Sequence, residues 1–123
     1  MLLIDGSRSM RASAQNALRI GAALASVTMR LEVFTFSTAI QRITNDVRRA
    51  AAGEHRRIEP LLYAWAGGTN IGQSLREFLR HYGERGLGRH TVLMIVSDGL
   101  DIGQPDVLRE AMRELRQRSA AVV

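Results

Sequence analysis

Short apolar runs with the composition of β-strands recur along the chain. Residues 2–4, 31–36 and 91–96 are such runs, and the last is an unbroken aliphatic stretch, which is typical of a parallel strand buried on both faces. Residues 39–44 alternate between apolar and polar side chains and predict a further strand. Because this strand follows residues 31–36 so closely, the two must be antiparallel, and Arg42 favours a place for it at the edge of the sheet.

Segments with helical spacing separate these runs. Between residue 10 and about residue 28, small and apolar residues recur every three or four positions, which predicts a helix that packs closely on its sheet. These residues are Met10, Ala14, Leu18, Gly21 and Ala25. A second helix is predicted to begin at Thr69 and to end at Gly83, because apolar residues recur between them at the same spacing.

The last helix is predicted to open at Pro105, because proline is favoured in the first helical turn. Its predicted inward residues are Leu108, Met112, Leu115 and Ser119, and its predicted outer pairs are Glu110 with Arg113 and Glu114 with Arg118. Residues 120–123 begin another strand. In the middle of the chain, residues 45–57 predict a loop with one or two helical turns. Residues 58–65 predict a short helix, which the glycine pair at residues 67–68 interrupts.

The order of these elements is strand, helix, strand pair, helix, helix, strand, helix and strand. This order predicts an α/β fold with a doubly wound, mostly parallel sheet, one antiparallel edge strand and flanking helices. No repeat, low-complexity tract or linker divides the sequence, so we expect a single domain over residues 1–123. Right-handed crossovers bring the ends of the strands at residues 2–4 and 91–96, and the start of the Thr69 helix, to one edge of the sheet.

The composition of the chain supports a packed core and agrees with a reducing environment. The chain has 123 residues, of which 46% are apolar, and this is enough for one core. It contains no cysteine, which excludes disulfides and thiolate metal sites. No run approaches the roughly 20 apolar residues that span a bilayer, and the first residues do not resemble a secretory leader. We therefore expect a cytoplasmic protein.

The basic charge is the second compositional feature. The formal net charge is +5, and all 17 basic residues are arginine. Such a balance fits either nucleic acid or an acidic protein partner. The arginines alternate with glutamates along solvated helix faces, and no aromatic residues lie between them as a platform for bases. Nucleic-acid binding is therefore not expected.

Candidate chemistry lies where the first strand ends. The strand stops at the carboxylate of Asp5, and the hydroxyls of Ser7 and Ser9 follow in alternate positions. Thr69 and Asp98 belong to the same edge of the predicted sheet, where open α/β folds place their ligands. All five residues offer oxygen donors, and a set with only two carboxylates suits Mg²⁺ better than Ca²⁺. The sequence therefore predicts a magnesium site at this edge.

Simpler roles exist for each of these residues. Ser9 could cap the first helix, and Thr69 or Asn70 could cap the second, since helices prefer such residues at their start. Asp98 could form only a turn. The meeting of five polar groups at one edge favours the metal site. Asp101 has three alternatives: it could orient Thr69, support the metal site from outside, or cap the loop before the last helix.

The three separate pieces, Asp5-Gly6-Ser7-Arg8-Ser9, Thr69 and Asp98, resemble in kind and order the von Willebrand factor A (VWA) domain. In that family they form a metal-ion-dependent adhesion site. Residues 34–38 (FTFST), 65–72 (WAGGTNIG) and 97–101 (SDGLD) are similar to the CoxE-like bacterial branch. The resemblance covers nearly the whole chain.

The resemblance implies a role for each site residue. Ser7 and Ser9 would coordinate Mg²⁺, or Mn²⁺ in its place, through their hydroxyls. Asp5 and Asp98 would act mainly through bound water, and Thr69 would join when a ligand is present. Few charged ligands then touch the ion, which keeps enough positive character to accept an Asp or Glu carboxylate from a protein partner.

The resemblance also implies a cellular role and an incomplete domain. CoxE-like proteins are accessory factors, not enzymes, which act with a MoxR-type AAA+ ATPase in maturing a molybdenum-containing oxidoreductase such as carbon monoxide dehydrogenase. Domains of this family extend beyond both ends of the present sequence. We therefore expect a partial VWA domain, truncated at both ends.

Two other functions are compatible with the same residues. One is a magnesium-dependent phosphotransfer or hydrolase enzyme, because an aspartate at the end of a first strand also serves aspartyl-phosphate chemistry. Against it, the chain has no lysine to neutralise a phosphate and no second acid two residues after Asp5. The other is an interaction surface of the same fold without metal.

Overall fold

A computed structural model describes residues 1–53 and 68–123. Within them, five strands form one sheet in the order β3-β2-β1-β4-β5. The strands are β1 (Leu2–Asp5), β2 (Val33–Phe36), β3 (Ile40–Arg42), β4 (Val92–Val96) and β5 (Ala121–Val122). β3 is antiparallel to β2, and the other pairs are parallel. This is the mostly parallel sheet with one antiparallel edge strand that the element order predicts.

Four helices flank the sheet in the described part of the chain. They are α1 (Arg11–Val27), which follows a 3-10 turn (Arg8–Met10), α2 (Thr44–Ala51), α3 (Ile71–Phe78) and α4 (Pro105–Arg118). α3 continues through a π-helical turn (Leu79–Gly83) into one further turn (Glu84–Gly86). The helix predicted at residues 58–65 and the first glycine of the pair after it lie outside the described residues.

Alternation along the central strand divides the core into two clusters. Side chains of consecutive strand residues point to opposite faces, and all four residues of β1 are buried. Leu2 and Ile4 pack beside Leu18 of α1, on the face that α1 and α2 cover. Leu3 belongs to the cluster of α3 and α4 on the other face, together with Phe34. The two layers hold β1 rigidly, so the residue at its end has a fixed position.

Two helix boundaries differ from those predicted. α3 begins at Ile71 rather than Thr69, because Asn70 caps it by accepting a hydrogen bond from Gln73 N at 3.1 Å. α2 corresponds to the one or two helical turns predicted within residues 45–57, but it begins at Thr44, which was predicted to end a strand. The burial of Val47 and Ala50 against the α1 side of the core accounts for this helix.

Two side-chain predictions are also wrong. β4 is not buried on both faces, because Val92 is 51% exposed and Met94 is 37% exposed, whereas Leu93 between them is fully buried. Val92 and Met94 lie on the face of the sheet that α1 and α2 cover, and these helices do not extend over the outer part of β4. On α4, Glu110 pairs with Arg76 of α3 instead of the predicted neighbour on its own helix. The predicted outer pair Glu114 with Arg118 is present at 3.1 Å.

Nowhere in residues 1–53 and 68–123 is a helix both long enough and apolar enough to cross a bilayer.

Candidate metal centre

The carboxylate of Asp5 lies at the end of β1 and is completely buried. Strand pairing explains what surrounds it. Ile4 is in register with Val96 of the neighbouring β4, so the next residue along β4, Ser97, comes beside Asp5. The Ser97 hydroxyl donates a hydrogen bond to Asp5 Oδ2 at 2.6 Å. One oxygen of the carboxylate is therefore fixed by the adjacent strand.

A tight turn after β1 brings two hydroxyls next to this carboxylate. Gly6 N donates to Phe36 O at 2.7 Å, which keeps the turn on the edge of the sheet. Ser7 N donates to Asp5 Oδ1 at 2.8 Å, the arrangement of an aspartate that stabilises its own turn. The Ser7 and Ser9 hydroxyl oxygens then lie 3.2 Å apart, with Ser7 buried and Ser9 exposed. The alternate spacing of the serines thus places both hydroxyls on the same side.

The loop after β4 brings the second carboxylate to the same place. Ser9 Oγ donates a hydrogen bond to Asp98 Oδ2 at 2.6 Å, and Leu100 N donates to Asp98 Oδ1 at 3.1 Å. Gly99, between them, has a φ of +75°, a conformation that residues with a side chain rarely adopt. The Ser9 hydroxyl, followed by the Leu100 amide, lowers the pKa of Asp98 below its ordinary value. Both contacts favour the charged form that a cation requires.

Thr69 approaches from the other side of Asp5. It is 2% exposed, and its hydroxyl donates to Asp5 Oδ1 over 3.3 Å. Its main chain is held between two loops, since Asn70 N donates to Ser37 O at 3.3 Å and Ile102 N donates to Thr69 O at 3.0 Å. Because α3 starts two residues later, the Thr69 side chain is not used for capping. It is directed to the carboxylate instead.

The structure thus brings together all the side chains predicted to form the site. Hydrogen bonds connect the five residues in an unbroken series. The Thr69 hydroxyl and the Ser7 main-chain amide donate to Asp5, the Ser7 and Ser9 hydroxyls share a hydrogen bond, and the Ser9 hydroxyl donates to Asp98. The capping alternatives fail for two of them, because neither Ser9 nor Thr69 provides a side-chain cap and Asn70 caps α3. Asp98 does form the turn that its position suggested, in addition to its contact with Ser9.

The donor set fits a small hard cation. It consists of two carboxylates and three hydroxyls, the oxygen ligands that Mg²⁺ and Mn²⁺ accept. Within the described part of the chain, no three His, Cys, Asp or Glu side chains form a metal-binding group. The Asp5 carboxylate is buried, and the three hydrogen bonds given above come from neutral donors. A nearby cation would compensate its charge, which is costly to bury alone.

Ser97 and Asp101 also lie at this edge. The sequence predicted no site role for Ser97 and left three alternatives open for Asp101. Ser97 was missed, because its role depends on the β1–β4 register. Its position directly before Asp98, at the end of an aliphatic run, is the available signal. Asp101 lies behind the site. Its Oδ1 accepts hydrogen bonds from Ile71 N and Gly103 N, both at 2.9 Å, and its Oδ2 is buried. Asp101 thus forms a turn in the loop before α4, as one of its three alternatives predicted, and in addition contacts the first residue of α3.

Comparison with known proteins agrees with the architecture of the sheet. The model of one family, described as VWA domain containing CoxE-like protein, matches residues 1–123. A comparison with curated proteins gave no match. The family match spans the strands, the helices and all of the residues discussed above. The chain therefore belongs to the family of VWA domain-containing, CoxE-like proteins.

Proposed function

We propose that the chain is a protein-binding module that grips an acidic side chain of its partner through a divalent cation, Mg²⁺ or Mn²⁺. The observation that carries the proposal is the unbroken series of hydrogen bonds from Thr69 through Asp5 and the two serines to Asp98. Residues from three distant parts of the chain converge there on one edge of the sheet. A bound cation would supply an open coordination position for a carboxylate.

The burial and charge of the site residues would give them different roles in binding the cation. The hydroxyls of Ser7, Ser9 and Thr69 are the neutral ligands, and the carboxylates of Asp5 and Asp98 balance the charge of the ion. Asp5 is completely buried, so its position is fixed before any ligand arrives. Ser9 and Asp98 are exposed and form the side of the site that a partner can reach. Arg8, exposed between the serines, would attract an acidic partner electrostatically.

Family membership supports a binding role over catalysis. CoxE-like VWA proteins are generally accessory or interaction proteins, and their family suggests an association with the maturation of carbon monoxide dehydrogenase. The acidic partner in our proposal is a MoxR-type AAA+ ATPase, and the client is a molybdenum-containing oxidoreductase of that kind.

Calorimetric titration of the full chain with MgCl₂ and MnCl₂ tests the site without knowledge of the partner. We expect saturable binding, which Ser9→Ala weakens and Asp5→Ala abolishes. Because Asp5 is buried and its variant could unfold, circular dichroism must accompany both. Asp106→Ala is the matched control, since this carboxylate is exposed on α4 and pairs with Arg109. Equal binding by Ser9→Ala, Asp5→Ala and the unaltered chain would refute the proposal.

Capture of the purified ATPase tests the partner. Immobilised chain should retain the MoxR-type ATPase in Mg²⁺ and release it in chelator, and Thr69→Ala should retain little in either buffer. Retention of the ATPase in chelator at the same level would contradict a metal-bridged contact.

A further inference from the structure

One carboxylate oxygen joins two segments that carry different parts of the candidate metal site. Asp101 Oδ1 accepts hydrogen bonds from Ile71 N and from Gly103 N, each at 2.9 Å. Ile71 is the first residue of α3, and the N–H groups of a first helical turn have no partner inside the helix. Asp101 supplies that partner from the loop after β4. It therefore connects the start of α3 to the loop that carries Asp98.

The two segments also meet along their main chains. Ile102 N donates to Thr69 O at 3.0 Å, one residue after Asp101 in the loop and two residues before Ile71 in the other segment. The approach is so close that a side chain at residue 103 would displace a neighbouring side chain. A Cβ on Gly103 would lie 2.5 Å from Asn70 Oδ1 and 3.1 Å from Asp101 Oδ1. Three consecutive residues of the loop are thus fitted against Thr69, Asn70 and Ile71.

Thr69 forms the longest of the hydrogen bonds that connect the candidate site residues. Its hydroxyl reaches Asp5 over 3.3 Å, whereas the Ser9 contact with Asp98 and the Ser97 contact with Asp5 are both 2.6 Å. The other ligands follow β1 and β4 directly, but Thr69 belongs to a separate crossover. Its position relative to Asp98 therefore depends on contacts between the two loops. Asp101 makes one of them, to Ile71 N, with the same oxygen that accepts from Gly103 N of its own loop.

We infer that Asp101 is a positioning residue of the metal site: its carboxylate fixes Thr69 and the Asp98 loop at the separation that one cation requires. The inference rests on the proposed function, since it concerns the same site. Asp101 acts through the Ile71 and Gly103 amides and is not itself a ligand. Its Oδ2 is buried and accepts no hydrogen bond within the described residues. An asparagine that keeps an oxygen at the Oδ1 position therefore loses none of these contacts.

The test compares metal affinity among Asp101→Ala, Asp101→Asn and the exposed-carboxylate control Asp106→Ala, in the full chain. Removing an outer residue that orients a metal ligand lowers affinity by about 10- to 100-fold, so we expect a loss of this size for Asp101→Ala with MnCl₂. Asp101→Asn should remain within about fivefold of the unaltered chain, because only the favourable charge at the start of α3 is lost. Asp106→Ala should bind normally.

Amide hydrogen exchange without metal provides a second readout. Asp101→Ala should speed exchange at Ile71 and Gly103 and leave the amides of β1 protected, while Asp101→Asn should restore protection. Normal metal affinity in Asp101→Ala, beside a clear loss in Asp5→Ala, would overturn this inference and leave the proposed function intact. An equal loss of metal affinity in Asp101→Asn and Asp101→Ala would also overturn it. That result would mean that the negative charge of Asp101 acts on the cation directly. Absence of metal binding by the unaltered chain would refute both proposals.

Discussion

Ser97 shows how one hydroxyl can hold a buried charge in place. It donates to Asp5 Oδ2 at 2.6 Å and accepts a hydrogen bond from Gly99 N at 3.0 Å. The first contact fixes a completely buried carboxylate, and the second fixes the turn before Leu100. Ser97 thus links the charge at the end of β1 to the loop after β4.

Replacing Ser97 by alanine should lower the free energy of unfolding by about 1 to 3 kcal/mol, because a buried carboxylate oxygen then loses its donor. Ser97→Thr keeps the hydroxyl and should retain most of the stability. Urea denaturation of the metal-free chain measures both. Ser26→Ala is the control, because that exposed hydroxyl donates only to Ala23 O of its own helix. A similar loss in Ser26→Ala and Ser97→Ala would contradict the role given to Ser97.

The carboxylate of Glu32 also accepts several hydrogen bonds. Glu32 directly precedes β2, at the opposite end of the parallel strands from Asp5. Arg42 donates to it from Nε at 2.7 Å and Nη2 at 3.0 Å, and Thr44 Oγ1 donates at 2.8 Å. The Arg42 hydrogen bonds, assisted by Thr44 and opposed by partial burial, lower the pKa of Glu32 below its ordinary 4.5. The ion pair joins β3 to the residue before β2, and β3 has the edge position that the sequence predicted.

The lowered pKa determines the direction of a pH effect. The folded chain binds this proton less readily than the unfolded chain, so the contribution of Glu32 is complete above pH 4.5 and disappears as the pH falls through the lowered pKa. The side chains of Arg42 and Glu32 are 39% and 28% exposed, so solvent limits the effect to about 1 kcal/mol or less. Denaturation curves between neutral and acid pH should show a shallower loss in Glu32→Gln. An unchanged slope would contradict the prediction.

Residue spacing predicted the candidate ligands, left three alternative roles open for Asp101, and missed the contact of Ser97. An acid with two alternate hydroxyls at a strand end, a threonine before a helix and an aspartate after an aliphatic run can each be read from the sequence. Ser97 and Asp101 depend on distances between segments far apart in the chain. The first needs the register of β1 and β4, and the second needs the close packing of two loops. Neither quantity is encoded in local spacing.

At the scale of elements, the sequence predicted the type and order of strands and helices better than their exposure. The aliphatic run of β4 has the pattern of a strand buried on both faces, yet Val92 and Met94 are partly exposed. Exposure depends on which helix lies over the strand, and strand composition carries no information on that. α2 was predicted only as one or two helical turns within a loop, because arginine and alanine give it few apolar residues. Its buried apolar residues are Val47 and Ala50, and Thr44 at its start is also buried.

The packing of α3 against α4 depends on one glycine. A Cβ on Gly72 would lie 2.7 Å from Leu108 N and 3.1 Å from Leu108 Cα, and main chain cannot rotate away as a side chain can. Since α3 begins two residues after Thr69, the close approach of α4 also limits where Thr69 can lie. A change in the spacing between α3 and α4 would therefore also move Thr69 in the candidate site.

Gly72→Ala should lower the free energy of unfolding by about 1 to 3 kcal/mol, the usual result of forcing an extra methyl group into a packed contact. Gly88→Ala is the matched control, because nothing lies within 4 Å of a Cβ there and its backbone does not need glycine. Urea denaturation of both variants decides the matter. Equal stability of the two variants would mean that α3 and α4 move apart at little cost.

For the whole molecule, the main question is whether the metal site and the fold depend on each other. The two apolar clusters on either face of β1 are complete without a cation, and the site residues already contact one another. The fold should therefore form in chelator. A cation that binds only the folded chain must nevertheless stabilise it, because binding removes folded molecules from the unfolding equilibrium.

MnCl₂ at about 100 times its dissociation constant should stabilise the chain by about 2.7 kcal/mol, which raises the midpoint of thermal unfolding by roughly 10 °C for a domain of this size. Ser9→Ala is the informative variant, because Ser9 is exposed and its loss should spare the apolar core while removing a ligand. Differential scanning calorimetry should show the rise in the unaltered chain and little of it in Ser9→Ala. NaCl at matched ionic strength separates site binding from screening among the many arginines. An equal rise in both proteins, or the same rise in NaCl, would mean that the cation acts elsewhere on the surface.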